Sequence, residues 1–297
     1  MTKSIFMVFA GACSYGILST FVKLAYHEGY SIAEIAFLQA FLGMAILYLL
    51  RLFSKKNKTI ATTTPTKSVW LALTLAGAAL GMTSFVYYLS VQYIPASIAI
   101  VALMQFTWIG ILLDWVFFRK TPTVLQLLSI ALILTGTIMA SGMLSGQTTG
   151  LSVKGIVYAL ASAFLYGIYI VVSSKIKTDV PMLTKSSVMM MGSAVLLFTI
   201  NARELLTQSH FDTGLIKWVI LLALFGTVIP PLLFSNGIPN IGAGYSAILM
   251  SAELPVAVIC SQLILKEHID FYQWLGILLI LFSIIWMNRK KLQLQPS

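Results

Sequence analysis

The chain has 297 residues, of which 59% are hydrophobic and only 9% are charged, and its mean hydropathy is +0.93. This composition excludes a water-soluble globular protein, because such a protein needs far more charged surface, and it indicates a chain that lies in lipid. The net charge of +10 comes from lysines and arginines between apolar segments, with no basic tail or aromatic-basic module, which argues against a nucleic-acid partner.

Ten apolar segments follow one another along the chain, and each can cross about 30 Å of hydrocarbon as a helix of roughly 20 residues. The predicted spans are 4–25, 32–52, 69–92, 95–118, 122–142, 153–175, 182–203, 214–235, 242–264 and 271–288. The sequence therefore predicts an all-α, multi-pass membrane protein whose surroundings are the lipid bilayer. We expect this membrane to be a bacterial inner membrane.

The basic residues predict the orientation of these spans. With both termini in the cytoplasm, 14 of the 19 lysines and arginines lie on the inner side and 5 on the outer side. The opposite orientation would invert this ratio, and membrane proteins concentrate basic residues in their cytoplasmic loops. The prediction is N-in and C-in.

The two halves of the chain repeat one pattern at an offset of about 145 residues. Tyr15-Gly16 in the first span matches Tyr166-Gly167 in the sixth, and Leu103-Met104 in the fourth matches Leu249-Met250 in the ninth. Because each half has five spans, an odd number, the second half must enter the membrane with the opposite polarity. The predicted organisation is two inverted five-helix repeats at 1–142 and 153–290, a linker at 143–152 and a cytoplasmic tail at 291–297.

The end of each half carries the most specific pattern. In the second half, residues 263–284 read LILKEHIDFYQWLGILLILFSI, an apolar run followed by an acidic residue, Gln, Gly and a final helix. The first half repeats it as FFRKTPTVLQLLSIALILTG, with Lys120 in place of Glu267 and Ser129 in place of Gly276. On these motifs and the repeat, nearly the whole chain resembles the drug/metabolite transporter superfamily, in the family of ten-helix exporters built from two EamA-type repeats.

This resemblance implies a secondary transporter, commonly an exporter of amino acids or related metabolites. It also implies a central cavity lined by the first, third, fourth, sixth, eighth and ninth helices. It does not imply a substrate, because relatives with this fold carry chemically different solutes, nucleotide sugars and phosphorylated compounds among them.

Glu253 is the first candidate for a functional residue. It lies near the middle of the ninth span, where an ionised carboxylate is costly and must be protonated or partnered. Exchange of a proton at Glu253 would couple transport to protons. The alternative is a neutral side chain that hydrogen-bonds to a neighbouring helix, and the matching residue of the first half is Thr107.

A second candidate feature is an interruption of the eighth span at Pro230 and Pro231, because prolines remove backbone donors within a helix. The equivalent stretch of the third span, 77–81, is rich in glycine and is followed by Thr83 and Ser84. Interruptions at matching places in two repeats indicate a midplane binding site. The alternative is that the glycines only allow close helix packing.

Several further side chains at membrane depth can contact a polar solute, and each has an equal claim to a role in helix packing. They are Gln105 and Trp108 on the fourth span, Tyr15 on the first, Tyr87 on the third, Tyr166 on the sixth and Asn236 at the end of the eighth. Lys23 and Lys175 end the first and sixth spans, where a cation suits the helix C-terminus and a structural role is favoured.

Three other functions fit the sequence less well. An intramembrane enzyme is disfavoured, because the chain has no H-E-x-x-H or Walker A motif, and its histidines are too far apart to predict a metal site. Inverted repeats suit alternating access better than a channel. A carrier of nucleotide sugars or other phosphorylated anions would need basic residues at the cavity, and Lys23 and Lys175 are the only candidates for that role.

The favoured hypothesis is therefore a proton-coupled exporter of a small neutral or zwitterionic metabolite such as an amino acid, with no cofactor. Its oligomeric state is left open.

Overall fold

The structure, a computed structural model, describes residues 2–54, 66–94, 96–140, 152–176, 180–207, 212–265 and 270–293. Over these residues the chain is helical and has no strand. Eight of its helical segments are long and apolar enough to cross a membrane, and two shorter apolar helices, Val124–Ala140 and Phe271–Met287, bring the set within the described ranges to ten. The predicted all-α fold of ten spans is confirmed. The predicted linker, apart from its last residue, and the end of the predicted tail lie outside the described residues.

The first half contains six helices, because its fourth span is divided in two. They are α1 (Thr2–His27), α2 (Ile32–Phe53), α3 (Lys67–Tyr93), α4 (Ala96–Leu103), α5 (Phe106–Phe118) and α6 (Val124–Ala140).

In the second half, both the eighth and the ninth spans are divided. The helices are α7 (Val153–Lys175), α8 (Met182–Thr207), α9 (Thr213–Leu222), a π-helical segment (Ala223–Val228), α10 (Ile229–Ile241), α11 (Ala243–Met250), α12 (Glu253–Leu265) and α13 (Phe271–Gln293).

Local sequence signals explain where several helices begin. A capping box opens α2, in which the Ser31 hydroxyl accepts from the Glu34 backbone N–H at 3.2 Å and the Glu34 carboxylate accepts from the Ser31 N–H at 2.9 Å. Asp212 caps α9 by accepting from the Leu215 backbone N–H at 2.7 Å. Gly242 has a φ of 85°, which allows the sharp turn between α10 and α11 that other residues would make only with strain.

The two halves pack on each other through matching pairs of helices. Helix α1 packs on α10 and α12, and its counterpart α7 packs on α3 and α5. The remaining contacts between the halves include α2 with α8 and α6 with α13, each pairing one helix with its own repeat mate. A pseudo-twofold axis in the membrane plane produces this exchange, so the two inverted repeats face each other across the core.

Residue contacts between α6 and α13 follow the same symmetry. A Cβ on Gly136 would meet the backbone of Gly276, and a Cβ on Gly276 would meet the backbone of Gly136. The equivalent pair under the repeat is Ser283 and Ser129, and the Ser283 hydroxyl donates to the Ser129 carbonyl at 3.1 Å. Small residues therefore bring the last helices of the two repeats close together.

The third span is not interrupted at 77–81, so of the two interpretations of these glycines the structure agrees with close helix packing. Helix α3 runs unbroken through this stretch. A Cβ on Gly77 would overlap the Met189 backbone of α8, and a Cβ on Gly81 would overlap the side chain of Ser193. The glycines serve the close crossing of α3 and α8, which is the packing alternative.

The eighth span is interrupted at the expected place. The π-helical segment ends at Val228, two residues before Pro230, and the Ile229 N–H donates to the carbonyl of Leu224, five residues earlier. Because Pro230 and Pro231 have no N–H, the ordinary helical ladder cannot continue through them. The wider π turn accommodates this loss.

Candidate functional site

The paired breaks of this fold lie in the fourth and ninth spans. Helix α4 ends at Leu103 and α5 begins at Phe106, while α11 ends at Met250 and α12 begins at Glu253. Since Leu103-Met104 matches Leu249-Met250 in the repeat, the two breaks occupy equivalent positions. Broken helices that face each other at the midplane are the usual setting of a solute site in inverted-repeat membrane proteins.

The break in the ninth span has a signal in the sequence that hydropathy alone does not reveal, which is a proline. Pro255, in the first turn of α12, has no N–H to donate to the Ser251 carbonyl, which instead accepts from the Leu254 N–H at 3.2 Å. Proline is favoured in the first turn of a helix for this reason, so Pro255 marks a helix start inside an apolar segment.

A cavity lies beside this break, between α1, α3, α4, α7 and α12. Its volume is about 30 Å³, room for two or three water molecules. It is lined by Tyr15, Leu18, Ser19, Leu80, Thr83, Ser84, Tyr87, Tyr88, Leu103, Tyr166 and Glu253. The cavity therefore involves five of the six helices that the family resemblance implied, without the eighth.

Glu253 contributes a carboxyl group to this cavity from the first position of α12. The residue is only 7% exposed, and its Oε2 has no hydrogen-bond partner among the described residues. Helix α1 approaches it closely at Gly16, where a Cβ would meet the Glu253 carbonyl and the Val256 side chain. Close packing on α1 therefore fixes the backbone of Glu253, a residue of the cavity lining.

Aromatic rings form much of the wall opposite this carboxyl. The repeat mates Tyr15 and Tyr166 meet nearly at right angles, with ring centroids 6.2 Å apart. Phe234 packs behind Tyr15 at 5.7 Å, and Phe106 packs against Tyr166 at 4.7 Å. These contacts hold both rings in place at the cavity wall.

The cavity also has hydroxyl groups of two kinds. Within the described part of the chain, the buried hydroxyls of Tyr87 and Tyr166 have no hydrogen-bond partner. The hydroxyls of Ser19, Thr83 and Ser84 instead donate to carbonyls of their own helices, at 3.4, 2.8 and 3.4 Å. A serine or threonine hydroxyl that donates its hydrogen bond to a carbonyl can still accept hydrogen bonds from other donors through its oxygen lone pairs.

Four of the predicted site residues thus meet at one cavity, namely Glu253, Tyr15, Tyr87 and Tyr166. The contribution of Ser19 was missed, although it lies four residues after Tyr15, on the same face of α1. Tyr88 was also missed, and its hydroxyl donates to Gln39 Oε1 at 3.3 Å.

The other predicted residues lie away from the cavity lining. The Trp108 ring N–H donates to Gln105 Oε1 at 2.7 Å, and Trp108 is 39% exposed, on the same face of α5 as the exposed Leu112 and Trp115. Such a face of large apolar side chains suits contact with lipid. The side-chain oxygen of Gln105 is therefore engaged in a hydrogen bond with Trp108.

The candidates of the eighth span also lie outside the lining. Pro230 and Pro231 are buried at the start of α10, and the Pro231 carbonyl accepts from the Ser186 hydroxyl at 3.0 Å. Asn236 is partly buried, and its backbone carbonyl accepts from the Asn240 side chain at 2.7 Å.

Lys175 is paired at the predicted cytoplasmic end of the bundle. Its ammonium group lies 3.2 Å from Asp114 Oδ1 and 3.6 Å from the centroid of the Phe118 ring. The structural role expected for Lys175 agrees with this geometry.

Ten spans in two inverted repeats, with broken helices around a midplane cavity, define a polytopic membrane protein of transporter architecture. A sequence model of the EamA-like transporter family matches residues 2–142 and 153–289. The chain therefore belongs to the EamA-like transporter family. The predicted resemblance to EamA-type members of the drug/metabolite transporter superfamily is confirmed.

Individual proteins are also similar to this chain. A protein of the cyanobacterium Synechocystis sp. (strain ATCC 27184 / PCC 6803 / Kazusa), described as an uncharacterized transporter, is 28% identical over 221 residues. This alignment covers 71% of the chain and 65% of the relative, so it spans slightly less than two thirds of the relative's length. A known crystal structure superimposes with a TM-score of 0.75 over 97% of this chain and 99% of that one, at 15% identity. It supports the fold alone.

Proposed function

We propose that this transporter exports a small polar metabolite, such as an amino acid, by alternating access, and that Glu253 couples export to proton entry. The observation that carries the proposal is a buried carboxyl group at a helix break, on a residue that lines the cavity and with one oxygen unpartnered among the described residues. An unpaired ionised carboxylate is costly at that depth, so Glu253 must hold a proton or a positively charged group.

The size of the cavity supports alternating access. A volume of about 30 Å³ holds a few water molecules and is too small for an amino acid. A solute can therefore enter only after the helices move apart. Two inverted repeats that meet across a pseudo-twofold axis supply two equivalent ways of opening, one towards each side of the membrane.

The charges around the cavity favour a neutral or zwitterionic solute over a phosphorylated anion. Its lining contains one acidic residue and, among the described residues, no lysine or arginine. Phosphate groups need arginine or lysine donors when they are desolvated. The lysine at the end of α7 is already paired with Asp114. We further propose that the protein resides in a bacterial inner membrane with both termini in the cytoplasm.

Transport into liposomes tests the coupling role of Glu253. The purified protein is reconstituted, a pH gradient is imposed, and a panel of amino acids is screened for gradient-dependent transport. Glu253→Gln keeps the shape of the side chain but cannot ionise, so we expect its transport rate to become insensitive to the gradient.

Glu204→Gln is the matched control, because Glu204 lies on α8 outside the cavity lining and is only partly buried. This variant is expected to respond to the gradient like the wild type. Coupling through Glu253 is refuted if Glu253→Gln still transports as steeply with the gradient as the unmodified protein.

A further inference from the structure

We propose that the cavity recognises its solute through a protonated primary amine, which binds the Glu253 carboxylate and lies against the faces of the surrounding tyrosines. This inference rests on the proposed function and names the chemical group that the same site selects. An amino acid meets the requirement with its ammonium end, and so does a simple amine.

The hydrogen-bonding groups of the cavity are mainly acceptors. Glu253 Oε2 is buried and has no partner among the described residues. The hydroxyls of Ser19, Thr83 and Ser84 donate to backbone carbonyls, so towards the cavity they offer lone pairs. A primary ammonium group has three N–H donors and no acceptor, which complements this arrangement.

The aromatic rings favour the same charge. Tyr15, Tyr87, Tyr88 and Tyr166 all line the cavity that contains Glu253. The face of a tyrosine ring carries partial negative charge and attracts an ammonium group within about 6 Å of the ring centre. This attraction increases when water is excluded, and all four tyrosines are at most 7% exposed.

Groups that would bind an anion are few in this cavity. Its lining has no lysine or arginine over the described residues, and its O–H donors include the unpartnered hydroxyls of Tyr87 and Tyr166. A carboxylate or phosphate placed here would lie beside the Glu253 carboxylate, which repels it. The charge of a solute, more than its shape, therefore decides whether this cavity binds it.

Binding of matched ligands tests this inference. The purified full chain in detergent at pH 8 is titrated calorimetrically with butylamine and 2-phenylethylamine, with their N-acetyl amides, and with pentanoate and 3-phenylpropionate. At least one amine should bind saturably. Its amide and acid should bind at least about tenfold more weakly, because the amide has a single N–H donor and no charge, and the acid has no N–H donor and a negative charge.

Variants locate the binding group. Glu253→Gln is expected to weaken amine binding by at least about tenfold, through loss of a charge-assisted hydrogen bond. Glu204→Gln, on α8 and outside the cavity lining, should bind the amine nearly as well as the wild type. The ligand series in the unmodified protein provides a test that does not depend on whether a variant folds.

The inference is overturned if neither amine binds, if an amide or acid binds as tightly as its amine, or if Glu253→Gln binds amines normally. These results differ from a failure of the proposed function. Transport that depends on the pH gradient and on Glu253, without preference for amines, would refute the amine inference alone. Selective amine binding without gradient-dependent transport would refute proton coupling alone.

Discussion

Glu253 and its repeat mate Thr107 differ in how their polar groups are satisfied. The buried Thr107 hydroxyl donates to the carbonyl of Met104 at 2.9 Å, within its own span. Glu253 Oε2 has no such partner among the described residues. The symmetry of the backbone therefore does not extend to the chemistry of the site, and only one of the two related positions supplies a carboxyl group to the cavity.

At the predicted outer end, Asp212 is a second residue whose charge has a specific role. The backbone N–H of Leu215 and the Tyr30 hydroxyl both donate to its carboxylate, at 2.7 and 2.8 Å, and they lower the pKa of Asp212 below its usual range. Because the pKa is lower in the folded state than in the unfolded chain, the ionised form stabilises the fold above the unfolded pKa. That contribution is lost as the pH falls through the folded pKa.

We predict that Asp212→Asn reduces the acid sensitivity of the protein. Asparagine caps a helix about as well as aspartate, so the Tm near neutral pH should stay close to that of the wild type. Below about pH 4, where the aspartate becomes protonated, the Tm of the variant should decline less steeply. Thermal unfolding in detergent across this pH range measures the difference. Parallel declines in the two proteins would show that Asp212 makes no such contribution.

At the scale of helices, the sequence predicts the spans but only part of their breaks. The apolar segments and the repeat are sufficient for ten helices in two halves. Glycine in an apolar segment is ambiguous, because it serves both an interruption and a close crossing, and only the neighbouring helix decides between them. In α3 that neighbour is the Met189 backbone, so the helix continues. The break before α5 contains no proline, so no residue pattern along this span predicts it.

The glycines of α3 and α5 offer a matched pair of substitutions. A Cβ on Gly77 would overlap the Met189 backbone, whereas a Cβ on Gly110 would lie 3.7 Å from the nearest atom, the Cβ of Ala247. We predict that Gly77→Ala lowers the free energy of unfolding by about 1–3 kcal/mol, the usual cost of overpacking. Gly110→Ala should leave it nearly unchanged, because its methyl group meets only an ordinary van der Waals contact.

Unfolding in detergent, followed by far-UV circular dichroism, measures both variants. Equal stability of the two would show that α3 and α8 can move apart at little cost. The close crossing of these helices would then not be a fixed feature of the fold.

For the whole molecule, the sequence predicts the depth of a residue better than the direction it faces. Glu253, Tyr15, Tyr87 and Tyr166 line the cavity, but Trp108, at similar depth, is on an exposed face. Helices that are apolar all round have no clear hydrophobic face from which rotation can be predicted. Direction is fixed by contacts between the repeats, such as Gly16 against the start of α12, which a pattern along one helix does not contain.

The two repeats are also joined at the predicted outer end, away from the cavity. The Trp218 ring N–H donates to Glu28 Oε2 at 2.6 Å, and the Tyr30 hydroxyl donates to Asp212 at 2.8 Å. Both hydrogen bonds connect the turn between α1 and α2, in the first repeat, with the start of α9, in the second. If the repeats rock against each other, opening towards this side must break these contacts.

We predict that a covalent link at this place stops transport without preventing solute binding. Tyr30→Cys and Asp212→Cys are combined in a chain that also carries Cys13→Ser and Cys260→Ser, and the two thiols are joined by a flexible, cleavable bifunctional reagent. The link holds the repeats together, so liposome transport should fall to a small fraction of that of the unlinked quadruple variant and return on cleavage.

The control joins Thr213→Cys to Lys217→Cys, two exposed positions one turn apart on α9, where a link leaves the repeats free. Undiminished transport by the linked repeats would mean that the outer ends do not separate, and a rocking mechanism would be wrong.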